Sequence, residues 1–129
     1  MKKLDKESVI GVSALLVHAA KIDEIYSDHE KDLVKDFIRS YLLDNDTNEI
    51  LKKAEELEMN SNQLLNYTNI IKNNSLEIKK DIIEHLWRVI ISDKTIDQYE
   101  SNLMRRICGL IYFPDKECAE IKLKLINKK

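Results

Sequence analysis

Apolar residues recur along this chain at the three- and four-residue spacing of one helix face, and polar breaks divide the pattern into about seven segments. Asp5 offers an N-cap for the first, which runs to about Ile22. Its apolar residues cover most of the circumference, so it is expected at the centre of the fold. After an acidic turn, Ser27 opens a second helix with Leu33, Val34, Phe37, Ile38 and Tyr41 as its core stripe. Asp44 to Asn48 is a polar break, and Asp46 with Glu49 has capping spacing for a third helix that buries Ile50, Leu51, Ala54 and Leu57. Asn60-Ser61-Asn62 breaks the chain before a fourth helix that carries Leu64, Leu65, Tyr67, Thr68, Ile70 and Ile71 and ends at Lys72-Asn73-Asn74. Asn74 and Glu77 frame the start of a fifth, which carries Ile78, Ile82, Ile83, Leu86, Trp87, Val89 and Ile90 into a second acidic turn. Asp97 opens the sixth, with Leu103, Met104, Ile107, Cys108 and Ile111 facing inward. Phe113-Pro114-Asp115 ends that helix and starts a seventh, because proline fits a helix's first turn but not its interior. No strand pattern is present. The expectation is an all-α bundle filling one domain over residues 1–129.

Composition agrees with that reading. Two glycines and one proline leave little material for tight strand turns, and 34% charged residues interleaved with 43% hydrophobic ones suit amphipathic helices. A chain of 129 residues buries about two-thirds of its unfolded surface, enough for a real core. The net charge of -2 offers no general attraction to nucleic acid or to an anionic membrane surface. The run from Val9 to Ile22 is apolar, yet Gly11, Ser13, His18 and Lys21 interrupt it, and it falls short of the ~20 residues a span requires. Nothing at the first six residues resembles a signal peptide, and two cysteines ten positions apart form neither a CxxC motif nor a disulfide framework. The cytoplasm is the expected compartment.

The chain repeats itself. At an offset of 70 positions Leu16 pairs with Leu86, Asp23 with Asp93, Ser27 with Asp97, Glu30 with Glu100, Leu33 with Leu103 and Phe37 with Ile107. Each copy reads as helix, acidic turn, helix, which suggests two helical hairpins about a pseudo-two-fold relation. The first copy is strongly acidic: from Asp23 to Asp36 six acids face two lysines. Asp23, Glu30, Asp93 and Glu100 are accordingly the candidate metal ligands, because four carboxylates in two turns offer the oxygens that calcium or magnesium prefers. A structural account stands beside this one. Ser27 with Glu30 and Asp97 with Glu100 both have capping-box spacing, and Asp23 and Asp93 are placed to accept amides within their turns.

Ala20-Lys21-Ile22-Asp23 followed by Ser27-Asp28-His29-Glu30, and the stretch from Trp87 through Asp93 to Glu100, resemble the TerB-like (tellurite-resistance protein B) family. Its pattern is small-x-small-Asp-Gly, an apolar position, a capping residue and a Glu. The resemblance covers roughly Ser13 to Leu123 and is more specific in the second copy. It implies an all-helical, cytoplasmic, non-catalytic domain tied to stress responses and to divalent cations. This chain departs from the pattern where glycine should follow each Asp: the positions hold Glu24 and Lys94. Without glycine the turn adopts positive φ less readily, which argues against a tightly wrapped metal loop.

The remaining chemistry-bearing residues read as structural. Neither turn has the alternating Asp-x-Asp-x-Asp-Gly of an EF-hand, and no Glu-x-x-His stands where a di-iron site needs one. His18 lies in an apolar helix as a satisfied core or boundary residue rather than a ligand, and His85 pairs with Asp81 as ordinary helix-surface chemistry. Cys108 and Cys118 are packing residues, as are Trp87 and Tyr112. Arg105-Arg106, Lys79-Lys80 and the lysines from Lys122 onward form a solvated face. The expected function is a non-enzymatic module that binds a divalent cation or a basic partner through its acidic turns. The alternative is a pure protein-interaction module, co-chaperone-like, in which the acids only cap helices.

Overall fold

A computed structural model describes residues 4–21, 26–42, 47–60, 65–91 and 98–127, and excludes the side chains of residues 65, 66 and 98–101. Seven helices and no strand occur among them: α1 (Lys6–Ala20), α2 (Asp28–Tyr41), α3 (Thr47–Asn60), α4 (Leu65–Lys72), α5 (Leu76–Ile91), α6 (Gln98–Leu110) and α7 (Asp115–Asn127). The all-α expectation holds.

Helix α1 starts where Asp5 accepts the amide of Ser8 at 2.7 Å. Beyond its first turn it is buried almost all round, from Val9 and Val12 through Leu15, Leu16 and Val17 to Ala20. The packing explains the composition, because α2, α3, α4 and α5 all lie against it. A helix enclosed on four sides has no room for a polar face. At Gly11 helix α4 comes close: a Cβ there would meet the Cδ1 of Ile70. Helix α2 shows one face only, with Val34, Phe37 and Ile38 fully buried. Phe37 lies 5.0 Å from the Tyr41 ring and edge-on to His85 at 5.1 Å, joining α2 to α5. A single cluster of buried apolar residues draws on all seven helices.

The two acidic turns follow helices of matching register: α1 and α5 begin at residues 6 and 76, and α2 and α6 at 28 and 98. Their buried positions also correspond, with Leu16 matching Leu86, Val34 matching Met104 and Phe37 matching Ile107. Their packing differs. Helix α2 lies against α1, whereas among the described residues α6 lies against α4 and α7 and makes no comparable contact with α5. The correspondence is one of sequence register and helix starts, and the expected pair of hairpins about a pseudo-two-fold is not seen among the described residues.

Several local expectations are corrected. Ser75, not Asn74, caps α5: its hydroxyl accepts the amide of Ile78 at 3.3 Å, while the Asn74 side chain donates to the Ile70 carbonyl at 2.7 Å and closes α4. The asparagine amide is used backward, which leaves the cap to its neighbour. Leu57 is exposed, because the buried side of α3 runs through Ile50, Leu51 and Ala54. Tyr112 does not fill the core. It is 68% exposed and holds φ at 60°, the left-handed position after α6. The amide of Phe113 returns to the Cys108 carbonyl at 2.8 Å and that of Tyr112 to Gly109 at 3.4 Å, which is a Schellman closure with tyrosine in the place glycine usually takes.

Candidate functional site

Of the four proposed carboxylates, only the Glu30 side chain is described. Asp23 and Asp93 lie outside the described residues; Glu100 is the third residue of α6, and its side chain lies outside them too. Glu30 sits in the first turn of α2, where the capping box is complete. The Ser27 hydroxyl accepts the Glu30 amide at 3.2 Å, and Glu30 Oε1 accepts the Ser27 amide at 2.8 Å and its hydroxyl at 3.1 Å. The other oxygen, Oε2, is buried on a residue only 1% exposed and has no hydrogen-bond partner among the described residues. One half of this carboxylate thus has a structural role, and the other half has none among the described residues.

Around it the fold gathers groups from α1, α2 and α3. The Tyr26 hydroxyl donates to Glu55 Oε2 at 2.8 Å. Lys21 Nζ bonds Glu58 Oε1 at 2.8 Å, and His18 Nδ1 lies 3.3 Å from Glu58 Oε2. The ammonium groups of Lys31 and Lys21 stand 5.1 and 5.8 Å from the centre of the Tyr26 ring. Burial pushes the Tyr26 phenol far above its usual range, and the hydrogen bond to Glu55 and the charges of Glu55, Glu30 and Glu58 add to the shift. Three glutamates therefore share one electrostatic neighbourhood at the junction of α1, α2 and α3. His18 is the boundary residue expected, with its imidazole beside a carboxylate.

Glu55 and Glu58 escape a sequence reading because their partners lie 29 to 40 residues away. The local trace is faint: both continue the line of Leu51 and Ala54 along α3 and are half-buried where a solvated face would be exposed. Among the described residues, no three His, Cys, Asp or Glu side chains converge as ready metal ligands. The residues that fit a cation are those with oxygen to spare. Glu30 Oε2 qualifies, whereas Lys21 already holds one oxygen of Glu58 and Tyr26 one of Glu55.

A second polar cluster lies between α2 and α5. Asp81 accepts the Tyr41 hydroxyl at 2.7 Å, and His85 Nε2 lies 3.7 Å from the same Asp81 oxygen, with both side chains about nine-tenths buried. The His85–Asp81 pair is therefore interior and ties two helices together, contrary to the surface pairing expected from its spacing. Desolvation and Asp81 push the Tyr41 phenol up as well. Cys108 and Cys118 are buried as expected, and Trp87 packs inside with its indole N–H on the Cys118 carbonyl at 3.2 Å.

No described helix is long and apolar enough to cross a membrane. Comparison with known proteins gives one match: the family model described as tellurite resistance protein TerB aligns with residues 9–123. No curated protein and no solved structure matches the chain. The match spans nearly the whole chain and takes in both acidic turns and all seven helices in whole or in part, and the chain belongs to the TerB family.

Proposed function

We propose that this TerB-family chain is a non-enzymatic, cytoplasmic binding module whose acidic helix turns take a divalent cation, calcium or magnesium. Asp23 and Glu30 would supply oxygens in one turn, and Asp93 and Glu100 in the other. The supporting observation is Glu30 Oε2. A buried carboxylate oxygen with no donor is strongly disfavoured, and a bound cation supplies the missing partner. Hard cations of this kind take several oxygen ligands. Glu55 and Glu58 add negative potential beside that turn without giving up their own hydrogen bonds.

Thermal melts with added Ca²⁺ or Mg²⁺ against an EDTA control test the reading. Ligation by the native state raises the midpoint with cation concentration. Asp23→Asn and Glu30→Gln should each abolish most of that rise. A rise left intact by Asp23→Asn together with Asp93→Asn would remove these residues from the site.

The completed capping box favours a second reading, a protein-interaction module whose acids serve only to start helices and attract a basic partner surface. On that reading metals leave the melt unchanged, while Ser27→Ala and Glu30→Gln lower it.

A further inference from the structure

We infer that Cys108 and Cys118 form an oxidation site, a thiol pair at the corner between α6 and α7 that peroxides convert to an intramolecular disulfide. The placement comes from the backbone. Cys108 lies in the last turn of α6, and its carbonyl accepts the Phe113 amide at 2.8 Å in the Schellman closure. Cys118 lies in the first turn of α7, and its own amide donates to the Pro114 carbonyl at 3.1 Å. The corner is thus hydrogen-bonded on both sides, and both cysteine side chains lie in the buried core. There the thiols meet: Cys108 hydrogen-bonds the Cys118 sulfur, and the Trp87 indole N–H reaches that sulfur from α5 at 3.3 Å.

The surroundings differ enough to assign roles. The Cys108 hydrogen bond, then the Trp87 N–H and the Lys122 ammonium, hold the Cys118 thiol below its ordinary range against the opposing effects of burial and Asp115. The Cys108 thiol is pushed up, first by that same hydrogen bond and then by burial. Cys118 is the sulfur that attacks and Cys108 the one that resolves. The Cys118 thiolate takes one peroxide oxygen, the O–O bond breaks, and the departing hydroxide collects a proton to leave as water. The Cys108 sulfur, giving up its proton, then attacks the Cys118 sulfenic sulfur. The S–O bond breaks, and the released hydroxide takes that proton as a second water. Two electrons pass from the sulfurs to the peroxide.

Access requires α7 to move, since Cys108 is fully buried and Cys118 nearly so. Helix α7 is suited to that. Among the described residues it packs chiefly on α5 and α6, and Cys118 and Ile121 are its buried anchors. The disulfide would fasten the first turn of α7 to the last turn of α6, so an opening that the reduced chain allows is closed in the oxidised one.

The experiment treats the reduced chain with hydrogen peroxide, then denatures it and alkylates free thiols. The expected result is a fall from two alkylated cysteines to none, with loss of two hydrogens from a monomeric mass and full recovery by dithiothreitol. Fluorescence of Trp87, the one tryptophan in the chain, reports in parallel because a disulfide beside the indole quenches it. Cys108→Ser should stop at a Cys118 sulfenic acid trapped by dimedone, with Cys108→Ala replacing it if the serine variant does not fold. Ile121→Ala should speed oxidation several-fold by loosening α7. Two thiols surviving peroxide doses that oxidise an exposed-thiol control overturn the proposal, and so does a disulfide found only between chains.

Discussion

Single side chains in this fold reveal most where they break a rule. Ser13 is fully buried in the middle of α1, and its hydroxyl has no partner among the described residues. An unsatisfied buried hydroxyl costs about 1–3 kcal/mol, and alanine is also the better helix former. Ser13→Ala should therefore stabilise the chain by about 1 kcal/mol in urea unfolding, against the usual direction of core substitutions. Tyr112 breaks a rule of a different kind. A side chain at φ 60° is strained by roughly 1–2 kcal/mol, most severely for a β-branched residue. Tyr112→Val should fall about 1–2 kcal/mol below Tyr112→Gly in the same assay. In the sequence this tyrosine reads as core because its apolar ring follows a core stripe, and nothing in the residue type signals a left-handed turn. Its ring instead lies 5.2 Å from the Lys72 ammonium.

At the scale of elements, legibility follows sequence separation. Asp5 with Ser8, and Ser27 with Glu30, were readable as helix starts because a cap acts on residues three positions away. The α5 start reads one residue early in the sequence because Asn74 and Ser75 are both good caps, and only the geometry shows which one is committed to the preceding helix. The neighbourhood of Glu30 was legible only in its local half. Glu55 and Glu58 reach it through the packing of α3 on α1 and α2, and helical spacing within one segment carries no record of that packing. The approach of α4 to α1 at Gly11 was likewise invisible, and it gives a coupled prediction. Gly11→Ala should change stability by less than about 1 kcal/mol, because the obstructing atom is the rotatable δ-methyl of Ile70 and alanine is the better helix former. In the Ile70→Val background, which removes that methyl, the same substitution should stabilise by about 1 kcal/mol, and the difference between the two effects in a double-mutant cycle measures the contact.

Across the whole molecule the two half-buried phenols of Tyr26 and Tyr41 set an alkaline limit. Tyr26 and Tyr41 both have folded-state pKa values raised above that of an unfolded tyrosine, near 10, by desolvation and by carboxylate partners. Raised values mean that the folded chain favours the neutral phenol. Their stabilising contribution is therefore complete below about pH 10 and is lost as pH climbs above it. Stability measured from pH 8 to 12 should fall on the alkaline side, and Tyr26→Phe combined with Tyr41→Phe should flatten that fall. The acidic turn is a separate matter, read by the cation melts near neutral pH.

The enclosure of α1 also has a consequence during synthesis. Its apolar surface leaves the ribosome ahead of the helices that cover it, and the wall that α5 provides is complete only at Ile91. At about 5–20 residues per second, α1 waits roughly 4–14 s for that wall. Nascent chains stalled before α5 has emerged should be readily cleaved within α1 by protease and should engage a holding chaperone. Chains stalled after it has emerged should resist both.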